Sequence, residues 1–465
     1  MLLKRMRSFL VVAMLMLTTL VNAQVTTASM SGKVTAQNEA VIGATVLAIH
    51  EPSGTRYGTI TNVDGLFSIQ GMQVGGPYKV EISYVGYQTA IYKGINLQLA
   101  SNYVLNVSMR ESSELLDEIV VVGSSNSNMN SDRAGAITNI NSQQMAAIPT
   151  VSRSMNDIMR LTPQGANTGN GFAVGGGNYR QSSVTVDGAA FSNSFGIGSN
   201  LPGGGSPISL DALEQIAVSV TPFDVRQSGF IGGAINAVTK SGTNDFYATA
   251  YTYLNNENLN GDKVGDLELI REKSQKYLYG ASFGGAIIKN KLFFFVNGEY
   301  EDNVTAGPKS RARLSDSDDW GSNTANVNRP TVGKMDEIRN YFIDKYDYDP
   351  GRYQGYSIKT PAYKIMARLD WNINDNNKLN FRFTRAHSKD NSGPTSSVSP
   401  FYATDIYDGG AAASKGSGNV NHNAAMYFEN SRYFKEYNFT SYASEWNSKW
   451  LDGSLNNVTR VFFPG

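Results

Sequence analysis

The sequence predicts a mainly β protein in three parts: an N-terminal β-sandwich, an α+β domain, and the first part of an antiparallel transmembrane β-barrel. Three observations predict it. Up to about residue 111 the chain is a series of short β-branched runs broken by turn residues at regular spacing. From about residue 246 onward, segments of about ten residues alternate apolar and polar side chains. The links between those segments are alternately long and short to the end of the chain.

The first 23 residues carry Lys4, Arg5 and Arg7, then an uncharged stretch from Phe9 to Val21, then Val21-Asn22-Ala23. That is a basic start, an apolar run too short to span a bilayer, and a small-residue cleavage site. Residues 1–23 are therefore expected to be a signal peptide, with the mature chain starting near Gln24. An N-terminal membrane anchor is the bland alternative. No Cys follows the apolar run, so this is not a lipoprotein signal.

Residues 24–111 follow. Asp64-Gly65 and Gly75-Gly76-Pro77 are turn signals between strands, and Tyr78, Val80, Ile82 and Tyr84 alternate onto one face. The length and about seven short strands fit a β-sandwich. The stretches "SGKV", "VIGATVLA", "GTITNVDGLFSIQGM" and "YKVEISYVGY" resemble the carboxypeptidase-regulatory-like domain, of the wider carbohydrate-binding-like sandwich fold. The resemblance does not imply peptidase activity, because the catalytic part of those enzymes lies elsewhere.

Residues 134–242 are rich in Gly and Asn. A short helix is predicted from Met155 to Leu161, capped by Ser152 or Ser154 and ended by Thr162-Pro163. "SSVTVDG" reads as a strand and an Asp-Gly turn. "SLDALEQIAVSV" reads as a one- to two-turn helix capped by Ser209, running into a strand at Ile216 to Val220. This order, closing in "DVRQSGFIGGAINAVTKSGTNDF", resembles the plug domain of TonB-dependent outer-membrane receptors of Oar-like or SusC/RagA-like type, with the last stretch close to the Oar-like subgroup. Relatives of that kind imply glycan or peptide ligands. Plug-apex contacts then fall on Phe172, Asn178, Tyr179, Arg180, Phe191, Asn193 and Phe195, an aromatic and amide set suited to such ligands; plug packing is the competing role for each.

Residues 243–465 carry the barrel signal. Leu379, Phe381 and Phe383 share one face, while Lys378, Asn380, Arg382 and Thr384 share the other. Ile365, Ala367, Leu369 and Trp371 oppose Lys364, Met366, Arg368 and Asp370 in the same way. Short links at Lys289-Asn290, 374–377 and Asp452-Gly453 alternate with long ones at 255–275, 302–360 and 389–432. A soluble sandwich copies the alternation but has no use for a 59-residue loop in strict rotation. About seven strands are expected. A closed bacterial barrel needs an even number from about eight up, and a plugged transporter roughly 22, so the sequence reads as part of a longer protein.

Between sandwich and plug lie residues 112–133. "LLDEIVVVG" resembles the TonB box, the energy-coupling segment, and Asp117, Glu118, Ile119, Val120, Val121, Val122 and Gly123 are assigned to it. The alternative is that Ile119–Val122 is the last strand of the sandwich. An extended segment that joins a partner's sheet is recognised through its main chain, so its side chains are secondary. The polar run from Ser124 to Ser131 reads as a tether.

Other functions are excluded on composition. The chain has 40 Lys and Arg against 40 Asp and Glu, which speaks against a nucleic-acid partner. It has no Cys, hence no disulfides and no thiol chemistry. His50, His387 and His422 are the only histidines and begin no metal-binding pattern. No nucleophile elbow or phosphate loop occurs, and "NVDGLF" is a turn rather than a calcium loop. No enzyme, metal or cofactor is expected. The resemblance implies an outer-membrane receptor of a Gram-negative cell, with its sandwich in the periplasm. Its partners would be outer-membrane lipid, TonB with its ExbB/ExbD complex, and a surface lipoprotein in some relatives. The alternatives are a non-energised surface binding or adhesion protein, and TonB-dependent protein export. A sensing role would need a different N-terminal domain.

Overall fold

The computed structural model describes residues 25–111, 119–122, 137–148, 150, 153–168, 171–191, 207–220, 230–259, 263–264, 267–268, 273–308, 311–320, 327–393, 426–450 and 455–464. The expected signal peptide lies outside them.

The first unit has strands β1 (Ala28–Ala36), β2 (Glu39–Ala40), β3 (Thr45–His50), β4 (Thr55–Ile60), β5 (Leu66–Met72), β6 (Gly75–Ser83), β7 (Ala90–Leu97), β8 (Asn102–Val104), β9 (Val107–Met109) and β10 (Ile119–Val122). They form two sheets: β1 with β2, β5, β8 and β9, and a second in the order β10-β7-β6-β3-β4. Met30, Val34, Val46, Ile69, Met72, Val80, Ile82 and Leu97 are buried between them. Tyr78, Val80 and Ile82 face inward as expected, but Tyr84 lies beyond the end of β6 and is exposed. Gly75-Gly76-Pro77 does not separate strands. It opens β6, where the ladder to β7 is irregular between Gly75 and Val80, as a strand-starting proline allows. The Asp64-Gly65 turn is real: the Asn62 side-chain oxygen accepts from the Asp64 and Leu66 amides at 3.0 and 2.8 Å.

The second unit holds β11 (Ile137–Asn141), α1 (Ser142–Ala147), α2 (Met155–Met159), β12 (Gly165–Asn167), β13 (Phe172–Val174), β14 (Ser183–Val186), β15 (Ala189–Ala190), β16 (Leu213–Ser219) and β17 (Ala234–Thr239). Its sheet order is β11-β16-β17-β14-β15. Ser154, not Ser152, caps α2, its hydroxyl accepting from the Asp157 amide at 3.3 Å. Ser209 caps a single 3-10 turn at Leu210–Ala212, and the following strand starts at Leu213, earlier than expected. The early start lets Leu213 pair with Thr239 and keeps β16 in ladder along β17.

The third unit is the wall: β18 (Tyr247–Asn256), β19 (Lys263–Val264), β20 (Leu267–Glu268), β21 (Gln275–Ile288), β22 (Leu292–Ala306), β23 (Arg311–Arg313), β24 (Val327–Thr331), α3 (Val332–Tyr346), β25 (Ser357–Lys359), β26 (Ala362–Asn374), β27 (Asn377–Ser392), β28 (Tyr433–Trp450) and β29 (Leu455–Pro464). Seven long strands pair antiparallel in the order β18-β21-β22-β26-β27-β28-β29. Their polarity is inside out for a soluble protein. On β26, Ile365, Leu369 and Trp371 are 46%, 43% and 44% exposed, whereas Lys364 and Arg368 are each 6% exposed. The apolar face is turned to lipid, and the charged face covers the plug. Phe295 and Met366 of the wall join the plug's own core of Ile158, Met159, Val184, Ile216 and Ile235.

Candidate functional site

Two joints fix the plug to the wall. In the first, Ser209 at the cap of the 3-10 turn donates to the Glu299 carboxylate on β22 at 2.8 Å. The same carboxylate accepts from Tyr251 at 2.8 Å and from Lys364 at 2.6 Å. Nearby, Arg153 pairs with Asp211, donates to the Tyr253 hydroxyl at 2.6 Å, and lays its guanidinium 4.9 and 4.5 Å from the Tyr251 and Tyr253 ring centroids.

The second joint lies nearer the short turns. Asp187, in the turn after β14, accepts from the Thr239 amide and hydroxyl at 3.0 and 2.6 Å, and its carbonyl accepts from Arg382 at 2.9 Å. Arg382 stands 3.7 Å from Glu445, and Arg460 donates to Glu445 at 2.8 Å. Arg368 donates to the Thr239 carbonyl at 2.8 Å and pairs with Asp370. These buried charges are matched within the joint, as buried ions must be.

The sandwich closes the same end. Thr26 donates to Glu445 and accepts from Arg460, both at 2.8 Å. Gln215 of the plug donates to the Leu97 carbonyl at 3.1 Å and accepts from the Leu99 amide at 2.9 Å. The edge strand β4 meets the wall: Asn372 donates to Thr55, Lys378 to the Arg56 carbonyl and Lys449 to the Gly58 carbonyl, at 2.8, 2.8 and 3.2 Å. A cavity of about 140 Å³ remains between the three units, lined by His50, Tyr57, Glu214, Arg368, Arg382 and Glu445 among others. His50 has its Nδ1 2.7 Å from the Ser53 hydroxyl. Burial, with Lys378 nearby, holds its pKa at about 4. Burial also pushes the Tyr57 phenol up to about 12.

Among the described residues no group of three or more His, Cys, Asp and Glu could hold a metal ion. Nor is there a helix long and apolar enough to cross a membrane, which says nothing of strands.

Residues 29–110 match the carboxypeptidase regulatory-like domain, and residues 238–447 match an outer membrane beta barrel domain. Over 310 residues the chain is 24% identical to the TonB-dependent transporter Oar of Myxococcus xanthus, covering 61% of this chain and 26% of that protein. Over 225 residues it is 24% identical to the TonB-dependent receptor P39 of Formosa agariphila, covering 44% of this chain and 20% of that protein. The chain carries an outer membrane beta barrel domain and is similar to TonB-dependent receptors. It spans about a quarter or less of the length of those two relatives. The solved structure of the siderophore receptor PirA from Acinetobacter baumannii aligns with a TM-score of 0.42 at 13% identity, over 71% of this chain and 39% of that one. The barrel domain places the chain in the outer membrane.

The expected plug-apex set divides on burial. Phe172 is fully buried, its ring packed where Gly165 has no side chain. Phe191 is buried too, its ring 4.2 Å from that of Phe439 on β28. Both serve packing, so neither offers a surface at the apex. Asn178 and Arg180 are exposed and Tyr179 half-buried, in one 3-10 turn where Asn178 caps the Arg180 amide at 3.0 Å and Arg180 donates to the Tyr179 hydroxyl at 3.1 Å. Asn193 and Phe195 lie outside the described residues. Of the coupling segment, Asp117, Glu118 and Gly123 also lie outside. Ile119–Val122 forms β10 and pairs in parallel with β7 of the sandwich. The tetrad is thus an outer strand of the sandwich sheet, the placement weighed against the coupling role in the sequence.

Sequence reasoning missed the joints. Their signal was present in the polar face of the wall, where Arg368, Arg382 and Glu445 alternate with lipid-facing residues, but the partners on plug and sandwich are far away in sequence.

Proposed function

We propose that this receptor takes up an extracellular ligand of the glycan or peptide class across the outer membrane, driven by TonB acting on Asp117–Gly123. The observation that carries the reading is how the lumen is filled. Beside the apolar contact of Phe295, Met366 and Phe439 with the plug core, the plug is held to the wall by polar and ionic contacts at Ser209–Glu299 and Asp187–Arg382 and to the sandwich at Gln215–Leu97, which water can replace when the plug moves. A ligand would meet Asn178, Tyr179 and Arg180, with Asn193 and Phe195 beyond. TonB, energised by ExbB/ExbD, would supply the work that a membrane without nucleotides lacks.

The test offers fluorescent oligosaccharides and peptides to cells making the full-length receptor, with and without a protonophore. Surface binding should persist and periplasmic accumulation should stop when the protonophore is present. Accumulation that ignores the protonophore would overturn energised uptake and leave passive display as the better account.

A further inference from the structure

The sheet β10-β7-β6-β3-β4 has two edges with different fates. At one edge, β4 is bound by the barrel wall through Asn372, Lys378 and Lys449. At the other, β10 is outermost, and among the described residues no strand lies beyond it. Its ladder is parallel, with Ile119 opposite Ala90, Val120 opposite Ile91, Val121 opposite Tyr92 and Val122 opposite Lys93.

Along an extended strand, the amide and carbonyl of one residue point to one side and those of the next to the other. Pairing with β7 therefore uses alternate residues of β10 and leaves the others aimed outward. Ile119–Val122 contains no Pro, Lys or other residue that blunts a sheet edge.

We propose that the coupling strand is presented in place: a strand of TonB adds to the outer edge of β10 while β10 stays on β7. The inference rests on the coupling role assigned to Asp117–Gly123. Presentation matters because a loose tether must be ordered when it binds, at an entropic cost that a strand already held in a sheet avoids. It also sets the path of the load. A pull on β10 reaches β7, and β7 ends at Leu97, whose carbonyl is bonded to Gln215 of the plug. The far edge of the same sheet is tied to the wall at β4. The sandwich then becomes the part that carries the pull, and its ties to the wall and plug are loaded together.

The 465 residues hold no Cys, and any Cys in the remainder of the full-length receptor is replaced by Ser before a pair is introduced. Val121→Cys with Tyr92→Cys would tie β10 to β7 at paired positions, and Ile119→Cys with Ala90→Cys is a second pair in the same register. The TonB periplasmic domain is titrated against full-length receptor in detergent, oxidised and reduced, and against a free peptide of residues 113–125. The oxidised receptor should bind within about threefold of the reduced one, and more tightly than the peptide. Binding weakened about tenfold or more on oxidation and restored by reduction would show that the strand has to leave the sandwich, overturning presentation. Failure of both pairs to oxidise would place β10 elsewhere and overturn it as well. A receptor dimer joined through β10 would make a second copy the occupant and refute the proposal. If neither receptor nor peptide binds TonB, the coupling role itself fails and presentation falls with it.

Discussion

Lys378 of the barrel wall lays its Nζ 3.1 Å from the centroid of the Tyr57 ring of the sandwich. The same group donates to the Arg56 carbonyl at 2.8 Å. One side chain thus fastens the N-terminal domain to a barrel strand at the end where the short turns lie. The contact with the ring and the hydrogen bond each contribute about 1 kcal/mol. Lys378→Ala should loosen docking without unfolding either unit. Spin labels at Glu39→Cys and Lys289→Cys, both exposed positions in a Cys-free chain, should give one narrow distance in the parent and a broad distribution in the variant. An unchanged narrow distance would mean that the remaining ties hold the sandwich alone.

Docking should also weaken in acid. His50 titrates at about 4 in the docked state, chiefly through burial, and should return toward 6.5 when water reaches it. Between those values the released state binds a proton that the docked state does not. Docking strength is therefore full above about pH 6.5 and falls as the pH drops toward 4, by at most roughly 3 kcal/mol if His50 is fully released. The label distances should broaden from pH 7 to pH 5, and His50→Gln should flatten the response. Tyr57 works at the other extreme. Its neutral phenol is favoured in the docked state up to about 12, so the tie weakens only as the pH rises from about 10 toward 12.

Glu445 is the hub of the lower joint, accepting from Arg460, Thr26 and Asn447 with Arg382 close by. Removing it takes the carboxylate from the buried Arg460 guanidinium and leaves Arg382 with Asp187 alone. Glu445→Ala should cost about 3–5 kcal/mol and lower the melting temperature of the full-length receptor clearly. Glu436 is half exposed, 3.5 Å from Lys389, and Glu436→Ala should cost no more than about 1 kcal/mol. Equal effects of the two would contradict the role of the buried network.

The wall was legible because lipid and lumen impose opposite polarity on successive residues, as in Phe381 against Arg382. The caps were legible too, because Ser154 and Ser209 satisfy amides within three residues of themselves. Helix α3 was not. It lies in the long link after β22 and buries only Met335, so no apolar stripe marks it. Phe172 misled for a different reason: its Gly-rich surroundings read as an open loop, but Gly165 is the space the ring fills. Lys378 and Tyr57 meet across 321 positions of sequence that no local pattern bridges. For Ile119–Val122 the residues fit two partners equally, because strand pairing is decided by backbone.

The strand proposed for coupling offers the most direct test of function. Val120 and Val121 are neighbours, so in an extended strand one amide faces β7 and the other faces outward. Proline removes the amide and fixes φ. One of Val120→Pro and Val121→Pro should therefore break the ladder to β7, and the other should break the edge offered to TonB. Val121→Thr keeps the shape and the strand preference, and should be neutral. A peptide of residues 113–125 should bind the TonB periplasmic domain weakly and lose binding with the proline that removes the outward-facing amide. In cells, both proline variants of the full-length receptor should bind ligand at the surface normally but fail to accumulate it, while the Thr variant does both. Full accumulation by both proline variants would sink the coupling role of Asp117–Gly123.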